Sequence, residues 1–254
     1  PPAARPGMNP LECAAVPADP ATLVLVFLLV TLGAALQGAA GFGMALIAAP
    51  PLMLIAPEFI PGPLIAAGVI LTGLVAYRDR AHIDYSGIRP ALGGRALGTA
   101  LAALFLAAAS PQSFDLVFGL LVLLGVALSL RGLRFRVTSI SAATAGLFSG
   151  LMGTISSIGG PPMALLYQHE GAARLRATLA GYFVLGVGFS LAALYAVGRF
   201  GWAELKLALV LSPAMLAGYF LAGPLQARLS EKMIRPVVLS LSFISALWVI
   251  ARAV

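Results

Sequence analysis

The sequence predicts an all-α, polytopic membrane protein built from two inverted repeats of about five helical segments each. The membrane class follows from composition, because apolar residues make up 60% of the 254-residue chain and charged residues only 10%. A soluble domain carries about 25% charged residues, and a disordered chain needs low hydrophobicity. An internal duplication predicts the repeats. Composition therefore excludes an ordinary soluble enzyme and makes the lipid bilayer the main partner of this chain.

The net charge of +7 does not indicate nucleic-acid binding. The basic residues lie in short gaps between apolar runs, where the positive-inside rule places them. The single cysteine, Cys13, excludes a disulfide within the chain, and His82 and His169 are too far apart for a recognisable metal site. We therefore expect no nucleic acid, no metal and no cofactor as ligands. The sequence does not specify an oligomeric state.

Internal similarity divides the chain into two halves. A shift of 112 positions lays QGAAGFGMALIAAPPLML (37–54) over SGLMGTISSIGGPPMALL (149–166), and a shift of 120 lays Gly98 over Gly218. We interpret 1–20 as a polar N-terminal segment, and 21–132 and 133–254 as two repeats of one integral membrane domain. The apolar stretch 21–56 would span about 54 Å as one helix, against about 30 Å of hydrocarbon. Its glycine cluster is therefore expected to break it into two short helices. The expected break residues are Gly38, Gly41 and Gly43 in the first half and Gly150, Gly153, Gly159 and Gly160 in the second.

The direction of each broken pair decides how the repeats are oriented. If the pair enters the membrane and returns, the repeats are inverted, and eleven of fifteen loop Lys and Arg residues share one side. If the segment crosses once, the repeats are parallel and the division is ten to five. The positive-inside rule favours inversion. It then places both termini in the periplasm and the RGLRFR gap at 131–136 in the cytoplasm.

Paired helix breaks at matching positions are the best sequence indicator of a transporter's binding site. Unwound backbone must be packed in protein or line a cavity, and half-helix N-termini suit an anion. The candidate substrate-binding residues are Gln37, Gly41, Phe42, Gly43, Ser149, Gly153, Thr154, Ser156, Ser157, Gly159, Gly160 and Pro161. We hypothesise that Thr154, Ser156 and Ser157, with N–H groups beside Gly159 and Gly160, hold a small anion. The alternatives are close helix packing for the glycines and hydroxyls that bond to their own helix.

Arg95 lies inside a predicted helix and is a further candidate. An ionisable residue within the membrane marks a functional site by default, although its long side chain could instead reach the cytosolic interface. The sequence has no nucleotide-binding loop, so the chain is not itself an ATP-driven pump. It also has no Gly-x-Ser-x-Gly elbow and no histidine within a predicted membrane segment, which makes an intramembrane hydrolase a minor alternative. The scarcity of intramembrane carboxylates argues against a cation carrier.

The two duplicated motifs resemble those of the sulfite exporter TauE/SafE family. GGPP at 159–162 is the closest match, while Met44 and Ala45 stand where further glycines are common. The resemblance extends from about Ala21 to Val254. It implies a multi-spanning carrier in a bacterial inner membrane for small sulfur-containing anions such as sulfite, sulfoacetate or other organosulfonates. The resemblance is compatible with export and with import, and we expect export. An anion channel, or a carrier of a different small substrate, is the alternative.

Overall fold

A computed structural model describes residues 19–130, 135–228 and 231–253, and every regular element within them is helical. The ten α-helices are α1 (Pro20–Ala40), α2 (Met44–Ile55), α3 (Gly62–Arg78), α4 (Tyr85–Ala108), α5 (Pro111–Leu130), α6 (Ser139–Ser156), α7 (Gly160–Tyr167), α8 (Ala172–Ala196), α9 (Trp202–Arg228) and α10 (Glu231–Ala253). Among the described residues, five helices are long and apolar enough to cross a membrane: α1, α4, α5, α8 and the Trp202–Pro224 part of α9. The predicted all-α, multi-pass membrane class is confirmed.

Local sequence signals account for several helix ends. The carboxylate of Asp19 accepts hydrogen bonds from the Ala21 and Thr22 amides and so caps the N-terminus of α1. Thr138 and Ser141 form a capping box at the start of α6. These caps satisfy amide groups that the first turn of a helix leaves unpaired.

Glycines bring two pairs of helices into close parallel contact. A Cβ at Gly94 or Gly98 of α4 would collide with the carbonyl groups of Ala143 and Leu147 on α6. Because both contacts advance by four residues, α4 and α6 run in the same direction. In the second pair, a Cβ at Gly218 of α9 would lie 2.7 Å from the carbonyl oxygen of Thr31 on α1, and a Cβ at Gly38 of α1 would lie 2.7 Å from the Cβ of Ala222 on α9, so these helices also run in the same direction. Small residues permit such backbone approach in membrane proteins.

Arginines from α3 and α8 gather at one end of the bundle, which we call the arginine end. Arg78 ends α3, and Arg174 and Arg176 lie in the first turns of α8. The C-terminus of α1 reaches this end, since Arg78 donates to the carbonyl oxygen of Gly38. At the opposite end, Arg252 near the end of α10 forms an ion pair with Asp115 near the start of α5. The first described residues of α1 and the last of α10 therefore share the opposite end.

Two predicted features fall on residues with no described structure. Most of the N-terminal segment 1–20 and residues 131–134 of the predicted cytoplasmic gap lie outside the described residues. Ser139, which begins α6 after that gap, is at the arginine end, because the adjoining α4 begins there and runs parallel to α6.

Candidate functional site

The first break reverses the chain between α1 and α2. Gly41 and Gly43 both adopt left-handed backbone conformations, with φ of 94° and 113°, which residues with a Cβ rarely adopt. Gln37 joins the two helices across the break, because its Oε1 accepts a hydrogen bond from the Met44 amide at 3.3 Å. The side-chain oxygen of Gln37 therefore satisfies an amide at the start of α2.

The second break reverses the chain between α6 and α7. Ser157 takes the left-handed conformation here, with φ of 64°. Ser149 Oγ donates to the carbonyl oxygen of Gly159 at 2.6 Å and ties α6 to the break. A Cβ at Gly153 would lie 3.3 Å from the Gly159 Cα, so the returning chain packs closely on α6. Pro161 lies in the first turn of α7, where a missing N–H costs no helix hydrogen bond.

The second break begins later in the sequence than the glycine pattern indicates. Gly150 and Gly153 lie within α6, and Gly38 lies within α1. Gly150 remains helical and faces α4, where an added Cβ would lie 3.0 Å from the Cα of Arg95. These three glycines therefore allow close packing, which was the alternative interpretation, while 41–43 and 157–159 form the actual breaks.

Arg95 of α4 is only 3% exposed and does not reach the end of the bundle. Its Nε donates to the carbonyl oxygen of Gly186 at 3.0 Å, while Nη1 and Nη2 donate to Ser149 Oγ at 3.3 Å and Ser190 Oγ at 3.2 Å. An added Cβ at Gly186 would collide with the guanidinium, so the absence of a side chain there makes the space that Arg95 occupies. Two other helices, α6 and α8, thus hold this cation of α4.

Aromatic rings surround the same guanidinium. Its central carbon lies 5.1 Å from the ring centroid of Tyr182 and 5.9 Å from that of Phe183, distances typical of cation–π contacts. Within the described part of the chain, no carboxylate forms an ion pair with Arg95. Neutral carbonyl, hydroxyl and aromatic groups are its partners, so its positive charge is solvated but not neutralised.

A cavity of about 60 Å³ lies between the two breaks and reaches Arg95. One water needs roughly 10–15 Å³ measured in this way, so the space suits a few waters or one small oxyanion. The N-termini of α2 and α7 both contribute to its wall, through Met44 and Gly160. Eight of the predicted site residues line it: Gln37, Gly43, Arg95, Gly153, Ser157, Gly159, Gly160 and Pro161.

The five other predicted residues lie close by but outside the lining. Gly41 packs against Arg176, and Phe42 packs against Gly160. Ser149 holds Arg95, as described above. Thr154 Oγ1 shares a hydrogen bond with Ser190 Oγ at 2.9 Å and so supports the residue that Arg95 contacts.

The remaining hydroxyls have acceptors within the protein. Ser156 Oγ donates to the carbonyl oxygen of Met152 in its own helix at 2.8 Å. This is the alternative given in the sequence analysis, in which a hydroxyl bonds to its own helix. Ser157 Oγ donates to the carbonyl oxygen of Pro61 at 3.2 Å. That bond connects the second break to the start of α3.

The cavity wall also contains residues of α3 and α8 that were not predicted from the sequence. Leu64, Ile65 and Thr72 come from α3, and Phe183 and Val187 come from α8. They are ordinary members of apolar helices, and no local motif distinguishes them from lipid-facing or core positions. Gly186, next to Val187, was the one available signal, since small residues mark close approaches.

Ion pairs connect the first break to the arginine end. Asp79 forms salt bridges with Arg78 at 3.0 Å and Arg176 at 2.6 Å, while these arginines donate to the carbonyl oxygens of Gly38 and Ala39 at the end of α1. Cations are favourable at a helix C-terminus. Burial raises the pKa of Asp79, but hydrogen bonds and charge from both arginines outweigh it, so this pKa lies below its ordinary value.

A second carboxylate connects α4, α7 and α8 at the same end. Asp84 caps α4, accepts a hydrogen bond from Tyr167 Oη at 3.1 Å and forms a 3.2 Å salt bridge with Arg174. Burial raises the pKa of Asp84, but hydrogen bonds led by Ser86 outweigh this, so its pKa also lies below the ordinary value. In the described residues, no group of three or more His, Cys, Asp or Glu side chains could hold a metal ion.

Comparison with known proteins gives one family. The family described as sulfite exporter TauE/SafE matches residues 26–249, nearly the whole chain. No curated protein and no solved structure matches the chain.

Proposed function

Since the chain belongs to the sulfite exporter TauE/SafE family, we propose that it is a secondary carrier of small sulfur-containing anions. The proposed substrates are sulfite, sulfoacetate or other organosulfonates, and the proposed direction is export across a bacterial inner membrane. Secondary transport is proposed because the sequence has no Gly-x-x-x-x-Gly-Lys-[Ser/Thr] phosphate loop. The gradient of the substrate or of an ion would then drive the movement.

The observation that carries this proposal is the buried charge of Arg95. An arginine keeps its positive charge in proteins, and burying a charge is costly unless it is paired. Arg95 is 3% exposed, yet all its described hydrogen-bond partners are neutral. An anion in the adjoining cavity would supply the missing negative charge.

The backbone around the cavity supports an anion over other ligands. The cavity is bounded by the first residues of α2 and α7, where helix dipoles present their positive ends. Ser157 and the backbone around Gly159 and Gly160 add polar groups to the wall. A small oxyanion needs several donors at once when it sheds water, and charged hydrogen bonds are roughly twice as strong as neutral ones.

The proposed architecture is a pair of inverted repeats, 21–132 and 133–254. Two contacts support it: Gly98 of α4 meets the Leu147 carbonyl of α6, and Gly218 of α9 meets the Thr31 carbonyl of α1. The two contacts are equivalent when the repeats are interchanged, because in each of them the first helix of one repeat packs on the fourth helix of the other. In both broken pairs the chain also turns back on itself, which the inverted arrangement requires.

Both termini are proposed to face the periplasm, with the arginine end in the cytoplasm. A reporter enzyme that is active only in the periplasm, fused after Val254, should be active. A fusion active only in the cytoplasm should be silent at the same position. A silent periplasmic reporter and an active cytoplasmic reporter would overturn this orientation but would not contradict the proposed carrier function.

Counterflow in liposomes tests the function directly. Purified full-length protein is reconstituted with unlabelled substrate inside, and labelled substrate is added outside. A carrier exchanges the two and transiently accumulates label, whereas a channel or an enzyme does not. The panel is sulfite, sulfate, sulfoacetate and taurine, without ATP. Failure of every member to exchange, or a requirement for ATP, would refute the proposal.

A further inference from the structure

A second cavity lies beside the central one, towards the arginine end. Its volume is about 150 Å³, and it opens between α5, α7 and α8. Ser129 at the end of α5 and Gln168 after α7 contribute polar groups, and Ala172 begins α8. We call this space the vestibule.

Only a thin wall separates the vestibule from the central cavity. Pro161 lines both spaces, and Phe42 lines the vestibule. Phe42 also packs on Gly160 of the central cavity, since a Cβ at Gly160 would lie 3.1 Å from the Phe42 Cβ and 3.7 Å from its ring. One aromatic side chain therefore fills the place where the two spaces would meet.

The backbone that carries Phe42 is not part of a helix. Gly41 and Gly43 lie on either side of it, both with positive φ, so the residue is held by a short non-helical link between α1 and α2. The side chain is half-buried and packs against the apolar cluster that includes Met163 and Tyr167. Apolar contacts alone hold its ring in place, and they can be broken and remade without separating any charge.

We propose that Phe42 is the gate between the central cavity and the vestibule, and that the anion leaves or enters at the arginine end by displacing its ring. This rests on the carrier function proposed above and adds a path and a gating residue to it. The vestibule has the larger volume of the two cavities, about 150 Å³ against about 60 Å³, and Ser129 and Gln168 lie along its wall. An anion released past Phe42 therefore meets polar groups on its way to the arginine end.

Thiol labelling tests the gate without any substrate. Cys13 is replaced by Ser, and Val187→Cys places a reporter thiol in the wall of the central cavity, where Val187 is 7% exposed. A membrane-impermeant thiol reagent is applied to vesicles of known orientation, from either end of the protein. The exposed position His82 at the arginine end, as His82→Cys, gives the rate for an unobstructed thiol.

Phe42→Ala should raise the labelling rate at position 187 about tenfold or more from the arginine end only, since the rate follows the fraction of time the path is open. Phe42→Leu, which retains most of the bulk, should change it little, and Phe42→Trp should lower it. Phe135→Ala is the matched aromatic control, because Phe135 lines a neighbouring apolar groove between α5, α6 and α7 but lines neither the vestibule nor the central cavity. It should leave the rate unchanged.

Two results would overturn the gate. One is an unchanged rate in a folded Phe42→Ala variant, and the other is a rise from the opposite end or from both ends. If the alanine variant does not fold, Phe42→Trp decides, because labelling as fast as in the parent would also contradict the gate. Labelling needs no substrate, so failure of the counterflow panel would refute the sulfur-anion function while leaving the gate result intact.

Discussion

Replacing Arg95 with methionine removes the charge that the proposed function depends on while keeping a long side chain. Among the described residues that line the cavity, Arg95 is the only charged one. Truncating one partner of a buried, hydrogen-bonded charge pair costs about 2–5 kcal/mol of binding free energy. Each 1.4 kcal/mol is tenfold in affinity, so Arg95→Met should weaken anion binding by about 30-fold to several thousand-fold.

The same substitution should not destabilise the fold. Ser149 Oγ retains its hydrogen bond to the Gly159 carbonyl oxygen, and Ser190 Oγ retains its bond with Thr154. The Gly186 carbonyl lies inside α8, where helix hydrogen bonding continues without Arg95. Replacing a buried charge by an apolar side chain of similar size is often neutral or stabilising. The thermal midpoint of Arg95→Met should therefore equal or exceed that of the parent.

Calorimetric titration of sulfite into detergent-solubilised protein, with thermal unfolding measured in parallel, separates these two effects. Arg95→Lys retains the charge but cannot reproduce the fork of hydrogen bonds, so it should bind with intermediate affinity. Arg80→Met is the matched control, because Arg80 is exposed at the arginine end and bonds to the Tyr77 carbonyl. Parent-like sulfite binding by Arg95→Met would refute the assignment of Arg95 as the anion's partner.

Three further predictions follow from the surrounding contacts. Ser157→Ala should weaken sulfite binding about two- to tenfold, because the Ser157 hydroxyl must exchange its bond to the Pro61 carbonyl oxygen for one to the anion, and a hydrogen bond to a charged group is stronger by about 0.5–1.4 kcal/mol. Ser156→Ala should bind like the parent, because its hydroxyl bonds to its own helix, and calorimetry compares the two variants. The pKa of Asp79 is lowered in the folded protein, so its ion pairs stabilise the fold fully above the ordinary carboxyl pKa of 3.8. This stabilisation is lost as the pH falls through the lowered pKa. Thermal midpoints measured from pH 6 to pH 3 should therefore fall more in the parent than in Asp79→Asn. Gly98→Ala should lower the free energy of unfolding by about 1–3 kcal/mol through overpacking against α6. Gly73→Ala is the control, because the space around its Cβ position is open, and it should not lower the thermal midpoint. Equal thermal midpoints for the two variants would contradict the close α4–α6 contact.

Local signals made the helices and the approximate break positions predictable. Long apolar runs identify helices through hydropathy alone, and Gly41 and Gly43 provide positive φ where the chain reverses. The second break was harder to place, because Gly150 and Gly153 look like break residues but pack against α4 and the returning chain. A glycine that permits a turn and a glycine that permits close packing look the same in one sequence.

The environment of Arg95 could not be predicted, because it depends on contacts between distant parts of the chain. Its position within α4 was compatible with reaching the cytosolic interface or with burial. Burial follows from Gly186, Ser149 and Ser190, which lie on two other helices and make space and hydrogen bonds for the guanidinium. The orientation of hydroxyls such as Ser156 depends in the same way on which acceptor lies nearest.

A cavity with one cation should discriminate between anions by their charge. The repeat supplies no second cation, because the position 120 residues after Arg95 is Met215, which is buried. Hydrogen sulfite, with one negative charge, would neutralise Arg95, whereas sulfate, and sulfoacetate with both its sulfonate and its carboxylate ionised, would bring a second, uncompensated charge into a poorly solvated space, which is costly. This argument ranks sulfite above sulfoacetate among the proposed substrates. Unlabelled sulfate should therefore compete poorly with labelled sulfite in counterflow, and lowering the pH, which raises the fraction of hydrogen sulfite, should increase exchange. If sulfate competed as well as sulfite at equal concentration, the single charge of Arg95 could not be what selects the substrate.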